Sequence, residues 1–438
     1  MQPGPPPPCG SLPLDTHRQT SRRGNLTLLA TASDRDSIAH LVLRAPRSAL
    51  LTAALALACA ALTACAQDLA SPFSAVVVQY DASKQSYALA QVRVGTLTSL
   101  RHLQGSAGTV RAGGTVRVAS ATLRDPAATV DSLRARFVTA APSDVDLSFN
   151  IANDLVYPED YNSLELLTAY FNVEQARLKF TAWGGSPLQP ALMVAHANIQ
   201  DENGLNPVGD GELFYPPLGN WYLPASSDLA QLPLVFNLGA VAHALTHQAI
   251  AQIVWGGKPL PPAEVQTGKD AATLTARHVA RSMTEGLADF FGVAVSSDPS
   301  WFNHSVQQTA AGRTLDQIRC SRADMLDALA VDDAQVPYNP YPLGSVIAGA
   351  LWQVAQLDVP HFSPGVFAAL PVMSHSAANN QGRLGLADVL DALAGSALAE
   401  YQPALCGLFL NRFRAVGITA ANLPSCSGAA TPPTDTCQ

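Results

Sequence analysis

Two histidines four residues apart, His243 and His247 in "VAHALTHQAIAQIV" (241–254), are the first residues of this chain whose type and spacing can do chemistry. Four residues advance an α-helix by a little over one turn, so both imidazoles leave the same face and can grip one cation. Downstream, "TEGLADFFG" (284–292) places Glu285 and Asp289 on one helical face by the same spacing. Two carboxylates on an otherwise apolar helix are costly to bury unless something cationic faces them. Two His, one Glu and an open fourth position form a catalytic type of zinc site, and a further carboxylate can orient a ligating imidazole. His243, His247 and Glu285 are therefore the candidate metal ligands, Asp289 their candidate support, and zinc the candidate cofactor. A plainer account also stands: the two histidines are core residues satisfied by backbone carbonyls.

The elements that must position these residues follow from pattern. From Phe73 to about Val138 short apolar/polar alternations ("SAVVVQY", "SYALAQVRV", "GTVRVASATL") separated by Gly and Ser/Asp turns predict antiparallel strands. A helical period covers 163–183, with Asn162 or Ser163 as its N-cap. Strand-like "ALMVAHANI", "GELFYPP" and "NWYLP" then lead through "LPLVFNL" into the histidine helix, and a further helix spans 273–295. After an irregular stretch, helices near 343–357, 384–398 and 402–415 close the fold, and the tail "SGAATPPTDTCQ" is too polar and Pro-rich to pack except through Cys437. The fold class is α+β. The expected organisation is a leader (1–64), a β-rich N-terminal region (65–145), a sheet-plus-helix domain carrying the site (146–300), an α-helical C-terminal domain (301–424) and a tail (425–438).

Taken together, these motifs resemble the gluzincin zinc metallopeptidases of the thermolysin and fungalysin kind, over roughly residues 160–415. In that family the helix motif is HExxH, the third ligand is the Glu of a downstream (N/T)EGxAD segment, and an edge strand reads NAFY or NAFW. The resemblance implies a zincin-like domain with His243, His247 and Glu285 on zinc, Asp289 behind a histidine, and Glu212, Phe214 and Tyr215 along a substrate cleft. "GSVIAGALWQVA" from Gly344 looks like the family helix that follows the site, and the long gap from His243 to Glu285 implies an insertion around "GGKPLPPAEVQTGKD".

Three departures bear on activity. Ala244 stands where the family has its catalytic Glu, and a methyl group cannot take a proton from metal-bound water. "PYNPYPLG" (337–344) puts Tyr341 or Pro340 near the position of the oxyanion-stabilising histidine, and Glu212 replaces a substrate-holding Asn. The resemblance thus implies a zinc protein impaired in hydrolysis that acts by binding a peptide, protein or envelope component. Two alternatives stay open: a working endopeptidase in which Glu212, His278 or a tyrosine moves the proton, and a metal-free structural surface protein. His278 itself is either a third imidazole near the metal or, preferably, a solvated side chain. Tyr338 and Tyr341 either donate to an oxyanion or simply pack.

Composition sets the setting. "LRAPRSALLTAALALACAALTAC" (43–65) has the basic, apolar and small-residue order of a signal peptide, with an apolar run too short for a resident membrane span. Its end, Leu62–Cys65, resembles the lipobox of bacterial lipoproteins, which implies acylation of Cys65 and a lipid anchor in the cell envelope, with the outer membrane favoured. Plain cleavage after an Ala-rich stretch is the alternative. The chain is 438 residues long with net charge −8; without residues 1–64 it carries 20 basic and 31 acidic residues, a net charge of −11, which argues against nucleic acid as a partner. Cys320, Cys406, Cys426 and Cys437 then remain, enough for two disulfides in any of three pairings. No GxSxG elbow, phosphate-binding GxxxxGK[ST] or post-strand GxGxxG is present.

Overall fold

The computed structural model describes residues 69–184, 188–207, 213–223, 232–266, 270–305, 313–326, 338–428 and 437. By contacts the chain divides into Met1–Gln67 and Asp68–Gln438, and every described residue belongs to the second unit. The signal segment, Cys65 and Glu212 lie outside the described residues.

The chain opens with the antiparallel hairpin β1 (Phe73–Asp81) and β2 (Ser86–Val94), as the alternation predicts. Next come the short strands β3 (Leu97–Ser99) and β4 (Gln104–Gly105), then β5 (Gly108–Ala112) and β6 (Thr115–Val118). Helix α1 (Val130–Phe137) interrupts the expected run of strands; its N-cap Thr129 and Ser132 exchange hydrogen bonds in a capping box, a local signal that outweighs the β-branched residues around it. Strands β7 (Val138–Ala140), β8 (Ser143–Asp144), β9 (Phe149–Ala152) and β10 (Leu155–Pro158) follow. Helix α2 (Tyr161–Ala182) starts two residues earlier than expected, because Asp160 rather than Asn162 or Ser163 is its cap and accepts from the Ser163 amide.

Strands β11 (Ala191–Ala195) and β12 (Asn198–Asp201) come from the single segment "ALMVAHANI", which is broken by His196 in the left-handed region (φ 55°). The hairpin β13 (Phe214–Tyr215) and β14 (Asn220–Leu223) completes the β-structure. Among the described residues, the largest sheet runs β13-β14-β11-β5-β4-β3, with β8 also on β5. Smaller sheets run β2-β1-β10-β9 and β12-β6-β7. Contrary to the antiparallel expectation, β5 pairs parallel with β11, β6 with β12 and β1 with β10. The buried helix α2 lies in the chain between β5 and β11 and supplies the long crossover that parallel partners require.

Helix α3 (Leu238–Ile253) carries the histidines and α4 (Ala271–Ser296) the acids. Helices α5 (Tyr341–Ala355), α6 (Val359–Asn379), α7 (Leu386–Ser396) and α8 (Gln402–Arg412) form the helical C-terminal region. Pattern reading misses α6 because Pro364 and Pro371 sit inside it; the helix persists through buried Phe362, Val366, Phe367, Leu370 and Met373. Burial of such a face outweighs the cost of the lost backbone hydrogen bonds. The disulfides are Cys320–Cys437 and Cys406–Cys426, with Cα–Cα separations of 5.7 and 5.4 Å. None of the described helices is long and apolar enough to cross a membrane.

Helices α3, α4 and α5 pack side by side in that order, and glycines set their spacing. A Cβ on Gly286 would lie 2.5 Å from the Gly344 carbonyl oxygen, and one on Gly344 would lie 2.9 Å from that of Ser282. On the other side of α4, Gly292 and Gly239 leave room for the Trp301 indole. Gly286 follows Glu285 directly, so this close backbone approach fixes where that carboxylate stands. Gly286→Ala is expected to force the two helices apart and to cost about 1–3 kcal/mol of stability in urea unfolding, a typical penalty for overpacking.

Candidate metal centre

Helix α3 is buried almost throughout: from Gly239 to Ile250 only His243 and His247 keep partial exposure. Its start is held by Asn237, whose side chain caps the Gly239 and Ala240 amides and donates to the Trp301 carbonyl (2.6 Å) and Ser305 Oγ (2.9 Å). One residue past His247, Gln248 accepts from Trp221 Nε1 on β14 (3.1 Å) and donates to the Gln189 carbonyl (2.9 Å). Both ends of the histidine face are therefore tied to the sheet or to the loop after α4, and neither imidazole is free to rotate with its helix.

The structure brings the sequence-predicted ligands together. His243 Nε2 lies 2.9 Å from His247 Nε2 and 3.4 Å from Glu285 Oε2, and His247 Nε2 lies 3.8 Å from Glu285 Oε1. One ligand atom from each residue falls within 4.8 Å of the others, and this is the one such group of three or more among the described residues. Tetrahedral zinc with bonds of about 2.0–2.1 Å separates its ligand atoms by roughly 3.3 Å, within the spread seen here. The side chains of His243 and His247 are 15 % exposed and that of Glu285 18 %, so the group opens to solvent on one side.

Asp289 takes the supporting position: its Oδ1 lies 3.0 Å from His243 Nδ1. Nδ1 must carry its proton to donate there, which leaves the His243 Nε2 lone pair facing His247 and Glu285. Sequence reading misses the second partner of Asp289, Arg313. Its Nε and Nη2 bind the carboxylate side-on at 3.2 and 2.5 Å, and its guanidinium lies 4.1 Å from the Phe302 ring centre and 4.4 Å from that of Tyr341. The segment "AAGRTLDQIRC" has no periodicity to mark it. The one signal that points to it is the rule that buried acids need a cation.

Arg313 meets that need for Asp289 but not for Glu285. Its Nη2 is 4.0 Å from Glu285 Oε2, and Oε2 is buried without a hydrogen-bond partner among the described residues. A buried carboxylate oxygen without a hydrogen bond, on a carboxylate facing two imidazole Nε2 atoms, is an unsatisfied valence that a cation completes. His243, His247 and Glu285 therefore fit a zinc ion, and Asp289 fits the support.

Electrostatics within the cluster are strongly coupled. Burial opposes charge on His243, but the hydrogen bond to Asp289 and the nearby Glu285 carboxylate outweigh that and raise its pKa above the ordinary 6.5. Burial pushes His247 down to about 4, with only partial opposition from Glu285. Glu285 lies below the usual carboxylate value despite burial, because the neighbouring His247, His243 and Arg313 prevail. Burial likewise opposes ionisation of Asp289, yet the Arg313 guanidinium and His243 hold it down to about 2.

The remaining sequence candidates sort clearly. Ala244 is 2 % exposed and buried in the helix bundle. Tyr341 stands at the start of α5, its ring against Arg313. Phe214 and Tyr215 form β13, which ends the large sheet among the described residues, with both side chains buried. His278, expected to be solvated, is instead 1 % exposed and stacks on Tyr338 at 3.7 Å, because an apolar-faced helix held on both sides buries that position. Tyr338 packs with its hydroxyl on the Met325 carbonyl and Ser282, and neither residue belongs to the ligand group. No protein-family model matches the chain, and no curated protein sequence matches it.

The Asp289 shift predicts an acid sensitivity. Its folded-state pKa is lowered from 3.8 to about 2, so its contribution is fully present above 3.8 and is lost as pH falls through 2. His247 acts in the same direction at higher pH, since the unfolded chain takes up that proton at 6.5 and the folded chain only near 4. In chelator-treated protein, the stability difference between wild type and Asp289→Asn is expected to shrink by about 2 kcal/mol as the pH is lowered through this window, read by urea unfolding at each pH.

Proposed function

We infer that this chain is a degenerate gluzincin, of the thermolysin and fungalysin kind, that binds zinc through His243, His247 and Glu285 and acts by binding a peptide or protein rather than cutting it. The observation that carries this reading is the convergence of the His243 and His247 Nε2 atoms on the Glu285 carboxylate, whose Oε2 is buried without a hydrogen bond among the described residues, backed by Asp289. Bound zinc would supply a Lewis acid and an acidified water. The chain's own residues would hold it, keep His243 in one tautomer and present Arg313 beside it. Among the described residues the candidates for a base fall away: Ala244 offers a methyl group, and Tyr341 is engaged with Arg313. Losing positioned acid–base catalysis costs about 10²–10⁴ in rate, and losing an oxyanion donor about 10²–10³. The outer edge of β13 is where an extended peptide would add a strand.

The same reading makes the chain an exported lipoprotein anchored through Cys65, probing the cell envelope from the outer membrane. Two disulfides suit an oxidising compartment. The alternative of a working endopeptidase loses support from His278, whose ring is stacked on Tyr338 inside the bundle. A metal-free structural protein would leave Glu285 Oε2 buried without a hydrogen bond from the described residues.

Metal analysis, chelation and restoration of the acid test the reading. Purified protein is expected to hold one zinc per chain, lost in His243→Ala, and to cleave peptides at least about 10²-fold more slowly than a zinc endopeptidase. Ala244→Glu is expected to gain chelator-sensitive hydrolysis. Ordinary, chelator-sensitive turnover by the wild type would overturn the non-catalytic assignment, and absence of zinc would overturn the metal assignment.

A further inference from the structure

The side of the centre that faces solvent has more positive charge and more free donors than a neutral peptide group needs. Arg313 uses Nε and one Nη2 proton on Asp289. The second Nη2 proton points towards His243 Nδ1 at 3.5 Å and Glu285 Oε2 at 4.0 Å. His243 Nδ1 cannot accept it while donating to Asp289, and the carboxylate is beyond hydrogen-bond reach. Nη1 makes no hydrogen bond among the described residues. The guanidinium is nevertheless fixed, lying against the rings of Phe302 and Tyr341 with its side chain 10 % exposed. A fixed, partly desolvated guanidinium with unspent N–H groups is a carboxylate receptor.

Charge points the same way. With a divalent ion in place, Glu285, Asp289 and Arg313 bring the centre to +1, the two histidines being neutral ligands. A carboxylate at position 244 would bring it to zero. Ala244 therefore removes a base and also leaves a local cationic excess in a chain whose overall charge is −8. Few anions are drawn to such a chain by its long-range field, so selection rests on this one centre.

On the metal reading above, we propose that the centre is a carboxylate-binding site: the metal and Arg313 together hold the carboxylate of a peptide ligand, from its C-terminus or from an Asp or Glu side chain. No bond is made or broken within the ligand; His243, His247 and Glu285 would hold the metal, which would supply one positive partner for the carboxylate, and Arg313 the other. The alanine at position 244 and the carboxylate ligand are then linked, since an acidic side chain there would compete with the ligand for the same charge.

The test uses the full protein loaded with cobalt(II), whose visible absorption reports ligand exchange at the metal independently of any turnover, with calorimetry for affinity. The probes are a short N-acetylated peptide with a free C-terminus, the same peptide amidated, the amidated peptide with one internal Glu, and acetate. The free-acid peptide is expected to shift the spectrum and bind at least about tenfold more tightly than its amide, as charged hydrogen bonds predict. A matching gain for the internal-Glu peptide assigns the carboxylate to a side chain instead. Arg313→Gln should remove the preference, Arg313→Lys should restore part of it if the protein folds, and Ala244→Glu, which leaves Arg313 intact, should weaken carboxylate binding about tenfold. Equal affinity for the free acid, its amide and the internal-Glu amide, or a preference unchanged in both Arg313→Gln and Ala244→Glu, overturns the proposal while leaving the metal reading standing. A protein that takes up neither zinc nor cobalt overturns both.

Discussion

The carboxylate of Asp289 is the interaction on which the centre depends. It faces an imidazole on one side and a guanidinium on the other, at 2 % exposure, and each partner justifies the burial of the next. Without Arg313 the acid would be an uncompensated charge in the bundle, and without the acid the arginine would be. The pair fixes the tautomer of His243, and with it the direction of the lone pair that meets His247 and Glu285. A rigid polar triad inside an apolar bundle thus converts helix packing into a defined arrangement of ligand atoms.

That arrangement needs a close fit between backbones. The acids stand on α4, the histidines on α3, and the distance between the two faces is set by residues without side chains: Gly239 and Gly292 around Trp301, and Gly286 against Gly344. Larger residues there would move the faces by more than the tolerance of a coordination sphere. The apolar mass of the bundle drives association, and the glycines determine its register.

Local chemistry was legible in the sequence and tertiary chemistry was not. His243 with His247, and Glu285 with Asp289, are four-residue spacings on single helices, so a periodic reading finds both pairs and the convergence of three of the four follows. Arg313 lies 24 residues beyond Asp289 in an aperiodic stretch, and only the folded chain brings them into contact. The same holds for the parallel pairing of β5 with β11, which is decided by a crossover rather than by any alternation pattern, and for α6, where prolines mark a helix end that packing overrides. His278 is buried where its pattern predicts a solvated ring, since burial of a polar ring depends on what faces it, here Tyr338 from a distant loop. Among the described disulfides, Cys320–Cys437 and Cys406–Cys426 settle one of three pairings that counting alone leaves equal.

The hairpin at the start of the described chain reaches this machinery: the Tyr87 hydroxyl meets Ser305 Oγ at 3.1 Å, and Ser305 receives the Asn237 amide that caps the histidine helix. Residues separated by 218 positions along the chain must meet before that cap is complete. Contacts of such span are entropically late events, so the first turn of α3 should be among the last parts of the molecule to acquire its native form during folding. A metal arriving early would find its ligands on a helix whose beginning is still unanchored.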